Sequence, residues 1–331
     1  MSQFTVALVA LDGQTVPDWV AAELAQAGID FAASECTTDE ELVQLAGDAD
    51  VVWVFGGSRV VTATNLPQLK RCGAIVRTGS GTDNVPVEAA TQAGIVVANT
   101  PDALTDGVSD HVIGLLFAVL RQIAVQDRLV RGGVWDRNRA WPLFPLSGRV
   151  LGLVGFGRIA QRLTRKLSGF EMTVLAHDPL VGAEVFAKHV VQATTLDDLL
   201  SRSDVVSLHC PLNPDTRHLI DERALRRMKK TAVLINTARG PVVDERALVR
   251  ALTERWISAA GLDVFDPEPP DPANPLLKFD NVVMTPHIAS YSDEYLDACW
   301  RHSLETVVAL SNGRLPRSPV NRPTKLRLEL T

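Results

Sequence analysis

Between Leu151 and Leu163 the chain reads LGLVGFGRIAQRL: an apolar run, a glycine turn, then a segment with helical spacing. Few patterns narrow the fold as much, because a strand turning on glycine straight into a helix opens a dinucleotide-binding βαβ unit. In G-x-G-x-x-G the first glycine permits the tight turn and the second lets backbone approach a pyrophosphate. The third brings helix close to strand. Gly155 and Gly157 hold the first two positions and Ala160 the third, so the departure falls where one methyl is a matter of packing. A helix over 157–169 then presents its positive N-terminus to the pyrophosphate, around Gly155, Phe156, Gly157, Arg158 and Ile159. The next apolar run, MTVLAHD, ends at Asp178, roughly 20 residues beyond the glycines, where a carboxylate binds ribose hydroxyls. A turn residue after a strand is the alternative for Asp178. Proline and leucine follow it rather than arginine, which favours NAD over NADP.

The turn lies near the middle of the 331 residues, so a separate unit precedes it. Short β-branched runs alternate with helical patterns on both sides: VALVAL, DVVWVF, GAIVRT and GIVVAN before it, RVLGLVGF, EMTVLAHD, SDVVSLHC, TAVLINTA, SAAGLDVF and NVVMTPH from it onward. This rhythm implies α/β architecture with two doubly wound parallel-sheet domains. Thr38 with Glu41 forms a capping-box pattern. One long helix is expected from about Thr105 to Arg131, and a last one from Asp293 to Ser311, stopped by Asn312-Gly313. That last helix has no strand after it and is free to return to the first unit. The final stretch, RPTKLRLELT, reads as a solvated tail.

Several function classes are disfavoured. A net charge of −6 with interspersed signs argues against a nucleic-acid binder. The N-terminus lacks a basic region before its apolar run, and the apolar run Val112 to Leu120 stops after nine residues, so neither a signal peptide nor a membrane span is expected. The four cysteines are scattered and the seven histidines form no H-x-x-x-H pair, so no disulfide framework, zinc site or other metal is expected.

Open parallel sheets bind ligands beyond the carboxyl ends of their strands. AVLINTARG delivers Arg239 there, GLDVFDPEP delivers Asp263 and then Glu268, and VVMTPHIAS delivers His287. Oxidising a 2-hydroxyacid needs such a set. Imidazole titrates near neutrality and takes the hydroxyl proton. A neighbouring carboxylate stabilises its charged form and fixes its orientation. A guanidinium forks onto a carboxylate and polarises the adjacent carbonyl. Singly, each has another reading: a surface ion pair for Arg239, a solvated loop residue for Glu268, a helix cap for His287. Their recurrence at successive strand ends favours the chemical one.

The run from Leu151 to Ser290 resembles the D-isomer-specific 2-hydroxyacid dehydrogenases, a family that includes phosphoglycerate dehydrogenases and glyoxylate/hydroxypyruvate reductases. The matching blocks are GLVGFGRIA, SDVVSLHCPLNPDTRHLI, LINTARGPVVDERALVRAL, AAGLDVFDPEP and MTPHIAS, with RTGSGTDNVPVEAATQAGIVVANTPD upstream. The resemblance implies an NAD-dependent enzyme interconverting a small D-2-hydroxyacid and its 2-ketoacid. It implies that Arg239 binds the substrate carboxylate and carbonyl, that His287 is the acid/base, and that Glu268 pairs with it. Asp263 would contact the nicotinamide carboxamide, while Thr237, Ala238, His209, Pro211 and Thr216 line the cofactor. Backbone amides at Gly79, Ser80 and Gly81 would receive the substrate carboxylate, with Arg77 beside them.

The implied architecture is a Rossmann-type NAD domain, 103–289, inserted in a flavodoxin-like substrate domain, 1–102 plus 290–331. The implied protein is cytoplasmic and homodimeric through the cofactor domain. Glycine stands near position 56, where phosphoglycerate dehydrogenases carry an arginine, which disfavours a phosphorylated substrate. NTPDALTDGVSDH and ASYSDEYLDACWRHSLETVVALSNGRLPRSPVN are similar to bacterial relatives of the C-terminal-binding-protein co-repressors, so an NAD(H)-responsive dimeric binding or regulatory protein is the alternative. Trp135, Trp141 and Trp300 are either packing residues or the lining of a substrate or subunit contact.

Overall fold

The computed structural model describes residues 3–140 and 143–330, so Trp141 lies outside the described residues. The chain divides into two compact units, Met1–Leu104 with Ser292–Thr331, and Thr105–Tyr291.

In chain order β1 (Phe4–Ala10), α1 (Asp18–Gln26), β2 (Ile29–Ala33), α2 (Asp39–Ala46), β3 (Val51–Phe55), β4 (Ala74–Thr78), α3 (Val87–Gln92) and β5 (Val96–Asn99) open the first unit. Their five-stranded sheet is parallel throughout, in the order β2-β1-β3-β4-β5. This is the flavodoxin-like order. Strand β3, VVWVF, is buried at every position and reads as a continuous apolar run rather than an alternating one, whereas β4, AIVRT, is buried throughout yet ends in the polar Arg77 and Thr78. Helix α2 starts on the capping box: Thr38 Oγ1 accepts from Glu41 N at 3.2 Å, and Glu41 Oε2 accepts from Thr38 N at 3.2 Å.

The second unit follows with α4 (Thr105–Leu120), α5 (Ile123–Arg131), β6 (Val150–Val154), α6 (Arg158–Lys166), β7 (Thr173–His177), α7 (Ala183–Lys188), β8 (Gln192–Ala193), α8 (Leu196–Arg202), β9 (Val205–Leu208), α9 (Glu222–Arg227), β10 (Val233–Asn236), α10 (Glu245–Thr253), β11 (Ala259–Leu262) and β12 (Val282–Met284). Its seven-stranded sheet, β12-β11-β10-β9-β6-β7-β8, is parallel and changes direction of winding between β6 and β9. That switch point is where an open α/β sheet leaves a crevice for a dinucleotide.

The chain returns to the first unit as α11 (Tyr295–Ser311), which packs on β4. Trp300 on α11 meets Trp53 edge-on, with ring centroids 5.4 Å apart, and Phe55 at 4.4 Å. Trp53 Nε1 donates to Thr78 Oγ1 at 2.8 Å, and that hydroxyl meets Ser303 Oγ at 2.7 Å. Trp300 is thus a core residue, whereas Trp135 is 80% exposed.

Three expectations are corrected. The helix expected over 105–131 is two helices, because Gln122 takes a left-handed φ of 52° and breaks the run. The stretch RPTKLRLELT carries no buried residue among those described but is tied down at Arg327, whose N donates to Gly94 O at 2.9 Å and whose Nη1 donates to Cys72 O at 3.3 Å; just ahead of it, Val320 N donates to Val97 O at 2.8 Å. Those bonds to backbone carbonyls are contacts its composition does not announce. Lastly, the helical stretch Pro101–Leu120 is long and apolar enough to cross a membrane by length and composition, beyond the nine contiguous residues counted in the sequence. The apolar side of α4 is occupied, however. Val112, Leu115, Leu116 and Val119 pack with Leu153, Ile235 and Ala259 in a common core.

Candidate active site

The glycine turn stands at the carboxyl end of β6, beside the switch point. Gly155 has a φ of +90°, and a Cβ built there would lie 2.7 Å from Cys210 N, so the residue must lack a side chain. A Cβ on Gly157 would meet nothing within 4 Å, which leaves open space where backbone is to approach a ligand. No side chain caps α6 at Gly157, so its first-turn amides face outward with the positive end of the helix dipole. Ala160 is fully buried in the core, where its methyl fills the helix–strand contact. Thr237 Oγ1, after β10, is a buried hydroxyl with no partner among the described residues. An orphaned donor, an uncapped helix start and an open glycine at one sheet edge fit a dinucleotide.

Some expected cofactor contacts come out differently. The Phe156 side chain is fully buried and stacks on Phe186 with centroids 5.1 Å apart, and its N–H donates to Asp178 Oδ2 at 2.8 Å. Phe156 is therefore a core residue that ties the turn to β7. Asp178 also accepts from Leu180 N at 2.9 Å and stays partly exposed. Thr216 Oγ1 donates to Pro211 O at 2.6 Å and accepts from Asn213 N at 2.9 Å, so its hydroxyl closes the loop after β9. His209 meets Ser207 Oγ through Nε2 at 2.9 Å, and burial pushes its imidazole down to about 4, so the ring is neutral at neutral pH. Ala238, Arg158 and Ile159 lie on the same edge, Arg158 exposed and Ile159 and Ala238 partly buried.

Three further strands bring the chemistry. His287 Nδ1 lies 2.6 Å from Glu268 Oε2. Burial alone would raise the Glu268 carboxyl. The hydrogen bonds from His287 and the Phe265 N–H, with the charges of His287 and Arg239, outweigh it and hold the carboxyl below its ordinary value. The carboxylate therefore accepts, Nδ1–H donates, and Nε2 is left for a reacting group. Arg239 follows β10 with extended backbone and a partly buried side chain, Nη1 donating to Ala238 O at 2.7 Å. Asn236, 1% exposed, shapes this loop: its Nδ2 donates to Arg239 O at 2.9 Å and its Oδ1 accepts from Ala238 N at 3.0 Å.

Asp263 is the main correction. Its side chain is fully buried and committed to the chain, accepting from Thr285 Oγ1 at 2.6 Å and from Ile288 N and Ala289 N at 2.9 Å each. Its backbone oxygen accepts from His287 N at 2.8 Å. A buried carboxylate with those donors holds the His287 loop and has no face left for a carboxamide.

In the first unit, the loop after β4 is pinned by β5. Gly79 N donates to Thr100 Oγ1 at 2.8 Å, and Asn99 Nδ2 donates to Ser80 O at 2.6 Å. The Gly79 amide is thus occupied, and Ser80 and Gly81 carry the amides that remain. Gly79 has a φ of +121°, and a Cβ there would overlap the Arg77 guanidinium. Arg77 is buried, with Nε donating to Asn84 Oδ1 at 3.2 Å, and its guanidinium lies against Gly79.

Residues 113–289 match the family described as D-isomer specific 2-hydroxyacid dehydrogenase, NAD binding domain. A glyoxylate reductase from Thermofilum pendens is 45% identical over 250 residues, covering 73% of each chain. The chain belongs to this family. It is an NAD-dependent oxidoreductase interconverting 2-hydroxyacids and 2-ketoacids. Among solved structures, a D-lactate dehydrogenase from Aquifex aeolicus complexed with NAD and lactic acid is 27% identical, with TM-score 0.79 over 93% of this chain and 96% of that one. An NADPH-dependent glyoxylate/hydroxypyruvate reductase from Sinorhizobium meliloti, complexed with NADP and malonate, is 30% identical, with TM-score 0.83 over 96% of this chain and 97% of that one.

Several residues of the dehydrogenase site escape a reading by motif. Asn236 and Thr285 look like ordinary strand-end polar residues, and His111 sits in the apolar helix α4, yet Asn236 bonds to Arg239 O, Thr285 to Asp263 and His111 to Thr285. Their only sequence signal is a polar residue inside a run expected to be buried.

Proposed function

We propose that this dehydrogenase reduces a small, unphosphorylated 2-ketoacid to the D-2-hydroxyacid, with His287 as acid, Glu268 as its partner and Arg239 as the substrate-binding cation. The observation that carries this reading is the 2.6 Å contact of His287 Nδ1 with a Glu268 carboxyl held ionised. It leaves Nε2 as the proton donor to the ketone oxygen, and as the acceptor in the reverse direction. In the second unit Arg239 grips the carboxylate and polarises the adjacent carbonyl; in the first unit, taken by itself, the Ser80 and Gly81 amides are suited to an anion. Bound NADH supplies the hydride. The α6 start, Thr237 and Asp178 hold that cofactor, and Asp178, with no arginine after it, favours NADH over NADPH.

A small substrate is supported by the glyoxylate reductases among the relatives. An unphosphorylated one is supported by the loop after β3, where a Cβ on Gly56 would overlap the Asp12 carboxylate. A residue long enough to hold a phosphate has no room there, and Asp12 repels an anion. The regulatory alternative is not favoured by relatives that are enzymes. A cytoplasmic homodimer through the second unit completes the proposal. In support, α5 buries none of its residues and leaves Ile123 and Val130 half exposed.

The test follows NADH oxidation with glyoxylate, hydroxypyruvate, pyruvate and larger 2-ketoacids, with His287→Ala as control. A rate with one of them that the substitution abolishes is expected. Undiminished turnover in His287→Ala, or equal affinity for NADH and NADPH, would contradict the assignment.

A further inference from the structure

His287 is held in an unfavourable backbone conformation, with a φ of +55° that non-glycine residues seldom adopt. Such a conformation persists only where its surroundings fix it. The fixing group is Asp263, whose carboxylate accepts from Ile288 N and Ala289 N and whose carbonyl accepts from His287 N. Asp263 is itself held from outside the loop. Thr285 Oγ1 donates to Asp263 Oδ1 at 2.6 Å, so the threonine proton points at Asp263. The Thr285 oxygen can then only accept at its other contact, His111 Nε2, 2.9 Å away. His111 Nε2 must therefore carry hydrogen, and it also lies 3.6 Å from Asp263 Oδ1. His111 comes from α4, which packs across β10, β11 and β12.

We infer that His111 is a positioning residue: through Thr285 and Asp263 it holds the strained loop that presents His287. The inference rests on the reading of His287 as the acid/base. Hydrogen-bond chains in a low-dielectric interior polarise one another, so the donor at the start affects a bond two residues on. His111 touches no reacting atom. Its role is to keep Asp263 in the one arrangement that satisfies three donors together.

The test compares His111→Leu and His111→Gln with Thr285→Val and Thr285→Ser, using glyoxylate and NADH. Leucine and valine remove the donor or the hydroxyl, whereas glutamine and serine keep one. The expected result is a drop of about tenfold in kcat for His111→Leu and Thr285→Val, with NADH affinity within about twofold of the parent. The conservative variants should regain most of the loss. His111→Leu/Thr285→Val should be no worse than Thr285→Val alone, because both act through one chain. A readout without substrate accompanies these: amide exchange at Ile288 and Ala289 should quicken in His111→Leu. Parent-like kcat and amide protection in His111→Leu would overturn the inference, as would losses that multiply in the double variant. If His287→Ala keeps its turnover, the acid/base reading falls and this inference with it. If His287→Ala is inactive and His111→Leu is unchanged, only this inference falls.

Discussion

The two parallel sheets end in loops at their carboxyl edges, and the edges are built by opposite means. After β4 the loop works through backbone. Gly79 takes a conformation that favours glycine, Thr100 and Asn99 pin it, and the Ser80 and Gly81 amides are the ones proposed to receive an anion. After β10, β11 and β12 the proposed groups are side chains, and two of them have a buried polar residue behind them: Asn236 for Arg239 and Asp263 for His287. An anion can be received by amides that any sequence supplies once the backbone is bent correctly. Proton transfer needs a titratable group of fixed tautomer and direction, which takes further side chains to hold. Buried polar residues brace both edges, Arg77, Asn84 and Thr100 at the first and Asn236 and Asp263 at the second, but at the second they hold side chains proposed to react rather than backbone.

His287→Ala should sharpen this contrast most, lowering kcat by roughly 10²- to 10⁴-fold while NADH affinity stays within about twofold. A kcat within tenfold of the parent would remove the distinction. Gly155→Ala comes next, because its Cβ would sit 2.7 Å from Cys210 N at a φ of +90°. Loss of NADH binding in a fluorescence titration is expected, with about 1–3 kcal/mol of stability. Parent-like binding would mean that the turn tolerates a side chain.

His209 tests the same edge through pH. The unfolded chain takes up a proton at His209 below about pH 6.5, and the folded chain only near 4. Stability from this group is complete above 6.5 and falls as pH drops toward 4, by at most about 3 kcal/mol. Urea midpoints across that window should slope less in His209→Gln; an unchanged slope would exclude His209 as the source. Thr237→Val should raise the melting temperature of the cofactor-free protein by relieving an unpartnered hydroxyl, worth about 1 kcal/mol, and should weaken NADH binding. A fall in melting temperature would show that the hydroxyl is satisfied. The smallest effect belongs to the first edge: Ser80→Ala should leave the ketoacid KM within about twofold, since the amide acts and the hydroxyl does not. A tenfold rise in KM would make that edge a side-chain site as well.

Much of this was legible beforehand, for identifiable reasons. Alternating β-branched runs and helical segments imply parallel α/β sheets, and a strand buried on both faces, such as β3, reads as an unbroken apolar word. The positions of Arg239, Glu268 and His287 follow from where apolar runs end. The role of Asp263 was not legible. An acidic residue at a strand end reads alike whether it faces a ligand or the chain, and only the donors around it decide. Trp300 and the C-terminal stretch are similar cases, since their partners, Trp53 and Phe55 for one and Val97 and Gly94 for the other, lie over two hundred residues away.

By itself the sequence determined what local patterning and glycine chemistry can determine: two parallel-sheet units, a dinucleotide turn, and the residues at the strand ends. The tertiary structure alone decided which polar groups are used up and which remain. Phe156 N–H goes to Asp178, Gly79 N–H to Thr100 and the Asp263 carboxylate to the His287 loop, while Thr237 Oγ1 has no partner among the described residues. The physical reason is that a buried hydrogen-bonding group must find its partner in three dimensions, and sequence separation carries no information about that distance.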